Sequence, residues 1–240
     1  MLQFKPERTH ITDYATHHLS LCGKALVADA SGALYWPAER TLIVADLHLE
    51  KGSSFAARGV MLPPYDTRQT LQRLAEVIDR FDPQRVIALG DSLHDRRAAD
   101  RIDATNLKML SILQEDRQWV WITGNHDPAI APKFGGRVVD QLVVGGIKLT
   151  HIPRQGRMAP EIAGHMHPAA KLSIYGHVIR RPCFVGNGRR LLLPAFGTFT
   201  GGLNVLDAAF MPLLGSDGMS VWMLGQEGLY PVATRYLCDD

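Results

Sequence analysis

Three apolar stretches of the sequence each lead into a cluster of polar side chains of the kinds that carry out catalysis. Carboxylate, amide and imidazole groups recur in these clusters. The three pairs are residues 41–45 before Asp46-Leu47-His48, residues 86–89 before Gly90-Asp91-Ser92-Leu93-His94-Asp95, and residues 119–122 before Gly124-Asn125-His126-Asp127. If the three stretches lie side by side, their ends deliver these groups to one place.

Two more polar motifs lie in the second half of the chain, Thr150-His151 and Gly164-His165-Met166-His167. With the first three they supply a set of oxygen and nitrogen donors that contains no thiolate. The members are Asp46, His48, Asp91, Asn125, His151, His165 and His167. Such donors suit a pair of divalent metal ions such as Mn²⁺, Fe or Zn²⁺. The spacing across the motifs therefore predicts a dinuclear metal site.

The elements that must position these motifs can be predicted from the same sequence. Apolar runs without polar alternation are typical of strands buried on both faces, and ligands bind beyond the carboxyl ends of such strands. Between the first two runs we predict a site-lining loop over residues 52–64 and a helix that Asp66 caps and Pro83 ends. This order implies a right-handed parallel crossover. A second amphipathic helix is predicted over residues 102–114.

The flanking regions predict further β-structure. Residues 19–30 and 33–36 are typical of a hairpin with its turn at Ser31-Gly32. Beyond residue 135, short strand-like runs predict a second, largely antiparallel sheet. The runs are residues 138–144, 147–150, 171–175, 183–185, 191–193 and 221–224. No linker or low-complexity tract separates the two halves, so we expect one domain over residues 1–240.

The composition is that of an ordinary globular protein. Its 240 residues suffice to bury a core, and the net charge of +2 is too small to indicate nucleic-acid binding by itself. Cys22, Cys183 and Cys238 are odd in number and lack metal-binding spacing, so we expect reduced thiols. The sequence has neither a signal-peptide pattern nor an apolar run long enough to span a bilayer. We therefore predict a soluble, cytoplasmic protein without a membrane partner.

The motif series resembles that of the calcineurin-like metallophosphoesterases. It runs Asp46-x-His48, Gly90-Asp91-x-x-His94, Gly124-Asn125-His126-Asp127, His151 and Gly164-His165-x-His167. A closer likeness, which covers most of the chain, is to the bacterial DNA-ligase-associated metallophosphoesterases. It rests on residues 33–37, 90–95, 181–185 and 193–203. The resemblance implies a four-layer α/β/β/α sandwich of two mixed sheets.

The resemblance also implies a role for each motif residue. The implied ligands are Asp46, His48 and His167 for one metal ion, Asn125, His151 and His165 for the other, and Asp91 as the bridge. Mn²⁺ is the favoured metal, with Fe and Zn²⁺ as alternatives. Such a pair of ions lowers the pKa of a bridging water, so that hydroxide attacks phosphorus in line. His126 would then protonate the leaving oxygen as a general acid.

The last position of the second motif departs from the commoner spelling of the superfamily. His94 stands where an aspartate more often orients the catalytic imidazole, which leaves Asp95 and Asp127 as candidates for orienting His126. A histidine also occurs at this place in some nucleases of the superfamily, which favours phosphodiesters of nucleic acid as substrates. His94 is then a second catalytic residue that donates a hydrogen bond to phosphate. Packing under the loop is the alternative.

Basic residues near the motifs are candidates for contacts with a phosphate backbone. Lys51 and Arg58 are the two that we predict to bind substrate. Others near the motifs are Arg96, Arg97, Arg154 and Arg157. With 26 Lys and Arg residues in the chain, some are expected beside every motif, so a simple surface role is the alternative for each.

Together these features predict a metal-dependent phosphodiesterase, specifically a DNA endonuclease associated with DNA repair. Its partners would be DNA or another phosphodiester and repair proteins such as a ligase, helicase or exonuclease, and a homo-oligomer is compatible with the sequence. A phosphomonoesterase or nucleotide pyrophosphatase of the same fold is the first alternative. A non-catalytic repair scaffold is the second, but a scaffold would be free to lose ligands and all seven are present.

Overall fold

The computed structural model of the protein describes residues 15–156, 159–174, 176–215 and 218–240. Two mixed β-sheets form its centre. The first sheet contains, in this spatial order, β1 (Thr16–Leu21), β2 (Lys24–Asp29), β3 (Leu34–Trp36), β4 (Thr41–Val44), β5 (Arg85–Leu89), β6 (Gln118–Ile122) and β7 (Arg137–Val139). Strands β1 to β4 pair antiparallel, whereas β4 to β7 pair parallel.

The second sheet is built from the later part of the chain. Its strands are β8 (Gln141–Val144), β9 (Ile147–Thr150), β10 (Glu161–Ala163), β11 (Pro168–Ile174), β12 (His177–Gly186), β13 (Arg190–Leu192), β14 (Leu203–Asn204), β15 (Ser220–Leu224) and β16 (Leu229–Val232). Their order is β14-β11-β12-β13-β10-β9-β8, and β15 pairs with β12 and β16. The sheet is largely antiparallel, as predicted, but β10 runs parallel to both β9 and β13, and β14 runs parallel to β11.

Helices cover the outer faces of the two sheets. They are α1 (Lys51–Ala56), α2 (Asp66–Phe81), α3 (Ala98–Arg101), α4 (Ala104–Gln114) and α5 (Met211–Leu214). Short 3-10 turns lie at Pro37–Glu39, Pro132–Phe134, Ala208–Phe210 and Thr234–Tyr236. Within the described part of the chain, every helix is too short or too polar to cross a bilayer.

Three apolar clusters separate the layers. Helices α2 and α4 pack on the first sheet through side chains such as Leu74 and Leu110. The two sheets pack against each other through a cluster that contains Ile87 of β5 and Ile162 of β10. On the far side of the second sheet, Leu213 of α5 belongs to a third cluster. The layer order is therefore helix, sheet, sheet, helix, which confirms the predicted four-layer sandwich.

Three local predictions at the start of the chain are corrected by the structure. Residues 19–30 are not one strand, because Cys22 and Gly23 both have positive φ (48° and 77°) and form a tight turn between β1 and β2. The predicted loop over residues 52–64 begins with helix α1. Asp66 is the first residue of α2 rather than its cap, and its carboxylate accepts the Gly52 N–H at 3.0 Å.

The segment that connects the two sheets also differs from the prediction. Residues 138–144 were expected to form one strand, but Asp140 divides them into β7 and β8. Strand β7 pairs with β6 in the first sheet, whereas β8 pairs with β9 in the second. The helix predicted over residues 102–114 begins at Ala104 as α4, because Ile102 ends α3, and its apolar residue Ile112 is 50% exposed.

Candidate metal centre

Each polar motif follows the carboxyl end of a strand. Strands β4, β5 and β6 end at one level, since Val44 is paired with Ala88 and Leu89 with Ile122. In the second sheet the parallel strands β9 and β10 end together in the same way. The five motifs therefore lie at neighbouring strand ends in the two sheets.

Two glycines allow the two sheets to meet at this edge. A Cβ atom on Gly90 would lie 2.5 Å from Cγ of His151, and one on Gly164 would lie 2.7 Å from Oδ2 of Asp46. Each glycine precedes a motif of one sheet and touches a motif residue of the other. Any side chain at either position would push the sheets apart. Glycine in these motifs therefore allows the two sheets to approach each other closely.

The backbone of the motif residues is strained. Five of the predicted ligands have positive φ: Asp46 (53°), His48 (45°), Asp91 (45°), His165 (69°) and His167 (43°). Non-glycine residues adopt this conformation at a cost, and such residues cluster at functional sites. Specific hydrogen bonds hold them, among them His48 N–H to Asp91 O at 2.9 Å and His165 N–H to Asp46 Oδ2 at 2.9 Å. The placement of these side chains therefore lowers the stability of the fold.

Asp46, His48 and His167 form the first group of donors. Nε2 of His167 lies 3.2 Å from Oδ1 of Asp46 and 3.4 Å from Nε2 of His48. Burial, together with repulsion from His167, lowers the pKa of His48 to about 3. The His48 imidazole is therefore neutral and keeps a lone pair for a ligand.

Asp91, Asn125, His151 and His165 form the second group. Nε2 of His151 lies 2.9 Å from Oδ1 of Asn125, 3.3 Å from Oδ1 of Asp91 and 3.2 Å from Nδ1 of His165. On its other side His151 donates from Nδ1 to the Leu89 carbonyl at 2.9 Å, which directs the Nε2 lone pair into the group. Burial opposes ionisation of Asp91, but the neighbouring His151 ring and the His126 backbone N–H outweigh this effect and lower the pKa of Asp91 to about 2.

Both groups fit a divalent cation. Asp46, His48 and His167 offer ligand atoms within 4.8 Å of one another, and so do Asp91, His151 and His165. Two imidazole nitrogens that face each other at 3.2 or 3.4 Å repel unless a proton or a metal ion lies between them. Although burial opposes a charge on His151, the neighbouring carboxylates of Asp91 and Asp46 raise its pKa, as expected where the surroundings favour a cation. Nitrogen and oxygen donors of this kind suit first-row divalent metals.

His126 lies at the open side of these groups, with its side chain 42% exposed. Its backbone N–H donates to Oδ1 of Asp91 at 2.9 Å, and its Nε2 lies 3.9 Å from Oδ2 of the same carboxylate. Its Nδ1 lies 2.8 Å from the backbone carbonyl of His94, which accepts the hydrogen bond. That carbonyl orients the ring, and neither Asp95 nor Asp127 does.

The two aspartates that were candidates for this role have other partners. Asp127 is buried and accepts four backbone N–H groups, those of Asp91, Ser92, Leu93 and Gly124, at 2.7 to 3.0 Å. It joins the loop after β5 to the loop after β6. Asp95 accepts from Arg101 of α3 at 2.9 Å. Sequence reasoning missed both the clamp of Asp127 and the carbonyl of His94, because backbone partners leave no trace in residue types.

The His94 side chain packs among aromatic rings at the mouth of the site. Its ring centre lies 5.5 Å from those of His48 and His126 and 5.8 Å from that of Phe55 on α1. Burial, with the nearby charge of Lys51, lowers the pKa of His94 to about 4. The ring is therefore neutral, stacks against His126 at an interplanar angle of 26° and borders the predicted metal ligands.

The predicted substrate-binding residues differ in their placement. Lys51 begins α1 and points its Nζ toward the ring of Phe55, 6.0 Å from the ring centre. The positive charges of Lys51 and Arg58 both lower the pKa of His94. Of the remaining candidates, Arg96, Arg97 and Arg154 are exposed, and Arg157 lies outside the described residues.

A buried polar network that the sequence did not reveal holds α1 against this edge. Glu50 has a φ of 67° and is 6% exposed, and its carboxylate accepts from Thr67 at 2.9 Å and from Ser53 at 2.7 Å. Arg101 donates to the same Ser53 hydroxyl at 2.9 Å. The network fixes the helix that carries Lys51 and Phe55.

Comparisons with known proteins agree with this geometry. A family model described as calcineurin-like phosphoesterase matches residues 39–181. Among solved structures, the chain is similar to the Pseudomonas putida nuclease MPE, with 31% identity over 90% of this chain and 100% of that one and a TM-score of 0.70. Its likeness to YfcE, a phosphoesterase from E. coli, has 15% identity over 80% of this chain and 98% of that one and a TM-score of 0.41. No curated protein matches the chain significantly.

Proposed function

The chain belongs to the calcineurin-like phosphoesterases, and we propose that it is a metal-dependent phosphodiesterase that acts on DNA as an endonuclease. The observation that carries this proposal is the arrangement around Asp91. This carboxylate contacts His151 of one donor group at 3.3 Å and accepts the His126 backbone N–H at 2.9 Å. A cation site and a half-exposed proton donor thus lie on either side of one residue.

We assign the metal ligands on the same geometry. The proposed ligands are Asp46, His48 and His167 for one ion and Asn125, His151 and His165 for the other, with Asp91 shared. Two bound divalent ions, for which we propose Mn²⁺, supply polarisation of the phosphoryl oxygens and a water acidic enough to give hydroxide at neutral pH. The ligand histidines must be neutral for this, as burial already makes His48.

The chain's own contribution to bond cleavage comes from His126. Its Nδ1–H is committed to the His94 carbonyl, so the proton that it can transfer is the one on Nε2. That nitrogen faces Asp91 and solvent, where the leaving oxygen of a diester has access to it. His126 therefore acts as the general acid that protonates the leaving alkoxide. The neutral His94 ring beside it donates to a phosphate oxygen.

Support for DNA as the substrate comes from two sources. The Pseudomonas putida protein to which this chain is 31% identical is a nuclease. The mouth of the site carries Lys51, Arg58 and the ring of Phe55, a combination of cations and an aromatic face that suits a nucleotide. The proposal extends to a cytoplasmic role in DNA repair with a ligase, helicase or exonuclease as partner proteins, which rests on the sequence resemblance.

The test compares a diester with a monoester. Purified protein with Mn²⁺ is expected to hydrolyse bis-p-nitrophenyl phosphate and to nick DNA, and to turn over p-nitrophenyl phosphate much more slowly. Chelation should abolish both activities. His177→Ala, which removes an exposed histidine outside the site, is the matched control for His126→Ala. Faster turnover of the monoester would favour a phosphomonoesterase instead, and metal binding without hydrolysis of either ester would favour a scaffold.

A further inference from the structure

A second cationic feature lies beside the proposed metal centre, on the second sheet. A cavity of about 100 Å³ opens next to His167 and is lined on its other side by Arg180 and Arg181 of β12 and by Gly201 and Gly202. None of these residues belongs to the motifs that carry the metal ligands except His167. The cavity therefore extends the site beyond the metal-binding motifs, next to His167.

Arg180 is connected to His167 through the backbone of Gly202. Its Nη2 donates to the Gly202 carbonyl at 2.6 Å. A Cβ atom on Gly202 would lie 2.7 Å from the His167 carbonyl, which also accepts the Leu203 N–H at 2.9 Å. The guanidinium is thus held at a fixed place near a predicted metal ligand, although its side chain is 39% exposed.

A carboxylate of the chain itself already binds this guanidinium. Oδ1 of Asp240 lies 3.2 Å from Nε of Arg180, and Oδ2 lies 3.4 Å from Nη2. The fork of an arginine binds carboxylate and phosphate with the same two-pronged geometry. Asp240 therefore stands where a phosphate would bind.

The segment that carries Asp240 is fixed along β11. The Cys238 N–H donates to the Lys171 carbonyl at 2.9 Å, and Lys171 Nζ donates to the Asp239 carbonyl at 2.7 Å. Asp240 itself is 58% exposed, and an ion pair this open to water is weak. A phosphate that carries its own charge and is held elsewhere on the protein can displace it.

We propose that Arg180 forms a subsite for a backbone phosphate that neighbours the scissile one, and that the Asp240 carboxylate occupies Arg180 until a polynucleotide displaces it. The inference rests on the proposed function, since it concerns the substrate of that site. It assigns the ligand as a phosphodiester with more than one phosphate. A small diester with a single phosphate reaches the metal centre without using this subsite.

The test separates binding from cleavage. Fluorescence anisotropy with a labelled oligodeoxynucleotide, on the full chain in the presence of EDTA, measures binding without hydrolysis. Arg180→Ala is expected to weaken binding about tenfold, because one charge-assisted contact is lost, and to reduce the slope of log Kd against log salt by about one. Arg180→Lys should keep the slope. Arg85→Ala, at the start of β5 and thus at the opposite end of the strand from the motif, is the matched control and should leave binding unchanged.

Asp240→Asn tests the effect of the competing carboxylate. Removing the competing carboxylate is expected to tighten oligonucleotide binding and to lower KM for DNA by a factor of about three to ten, without change in the turnover of bis-p-nitrophenyl phosphate. An unchanged affinity in Asp240→Asn would overturn the role of Asp240. An unchanged salt slope in Arg180→Ala would overturn the subsite, as would an equal loss on the small diester. Absence of DNA cleavage by the wild type, with both binding effects intact, would contradict the proposed function and support the subsite.

Discussion

At the scale of single residues, the proposed general acid His126 is held in place by the backbone carbonyl of His94. Because Nδ1 is held at 2.8 Å from that carbonyl, the ring cannot rotate Nε2 away from the site. His126→Ala should keep both metal sites and lose a factor of about 10² to 10⁴ in kcat on DNA. On a p-nitrophenyl ester the loss should shrink, since that leaving group needs no proton. An equal loss on both substrates, measured in parallel steady-state assays, would contradict the assignment.

The roles of the His94 side chain and of the His94 backbone carbonyl can be tested separately. His94→Ala keeps the hydrogen bond to His126 and removes only the ring that stacks on it. If the ring donates to a phosphate oxygen, kcat for diesters should fall by about 10², while the melting temperature and metal content stay unchanged. The loss should be the same for good and poor leaving groups, unlike that of His126→Ala. A lower melting temperature with wild-type turnover would show that the ring only packs.

Asp127 is a third residue whose role follows from its partners. Its two oxygens accept four backbone N–H groups, so Asp127→Asn would set an amide NH₂ against two of these donors. Two buried donors left without an acceptor should lower the free energy of unfolding by about 3 kcal/mol. Denaturant titration measures this, with the exposed Asp100→Asn as control. A variant as stable as the wild type would show that the clamp is dispensable.

At the scale of elements, helix α1 sets one wall of the site, and its position depends on Gly52. A Cβ atom there would lie 2.6 Å from Oδ1 of Asp66, a buried carboxylate that also accepts the Gly52 N–H. Gly52→Ala should break that bond, lower stability by about 1–3 kcal/mol and raise KM for DNA, because Lys51 and Phe55 move with the helix. Gly201→Ala, where nothing lies within 4 Å of the added Cβ, is the control for stability. An unchanged KM for DNA would show that α1 does not contribute to substrate binding.

The elements also show where sequence reasoning works and where it stops. Strands β4, β5 and β6 could be predicted because each is an unbroken apolar run, and their motifs follow from the chemistry of the side chains. Helix α1 could not, since six residues with a glycine give no amphipathic pattern. The division at Asp140 was hidden because a strand that changes sheets keeps its β-propensity. What holds the site together, the carbonyl of His94 and the N–H partners of Asp127, is backbone geometry and has no pattern to detect.

At the scale of the whole molecule, the candidate metal centre joins the two sheets. Asp46 and Asp91 follow strands of the first sheet, whereas His151, His165 and His167 follow strands of the second. The cluster between the sheets also draws side chains from both, including Ile87 and Ile162. We therefore propose that the chain folds as one domain, and that metal binding stabilises both sheets together.

This proposal predicts a single unfolding transition that shifts with metal. Trp36, Trp119 and Trp121 lie in the first sheet and Trp222 in the second, and the change in their fluorescence should coincide with the loss of the circular dichroism signal. Two sites saturated at about a hundredfold excess over Kd would add roughly 2.7 kcal/mol each, so Mn²⁺ should raise the melting temperature and EDTA should reverse it. Elemental analysis should find two ions per chain, one in His167→Ala and none in Asp91→Ala, with the Mn²⁺ stabilisation falling in the same order. Two separate transitions, of which Mn²⁺ shifts only one, would contradict a centre shared between the sheets.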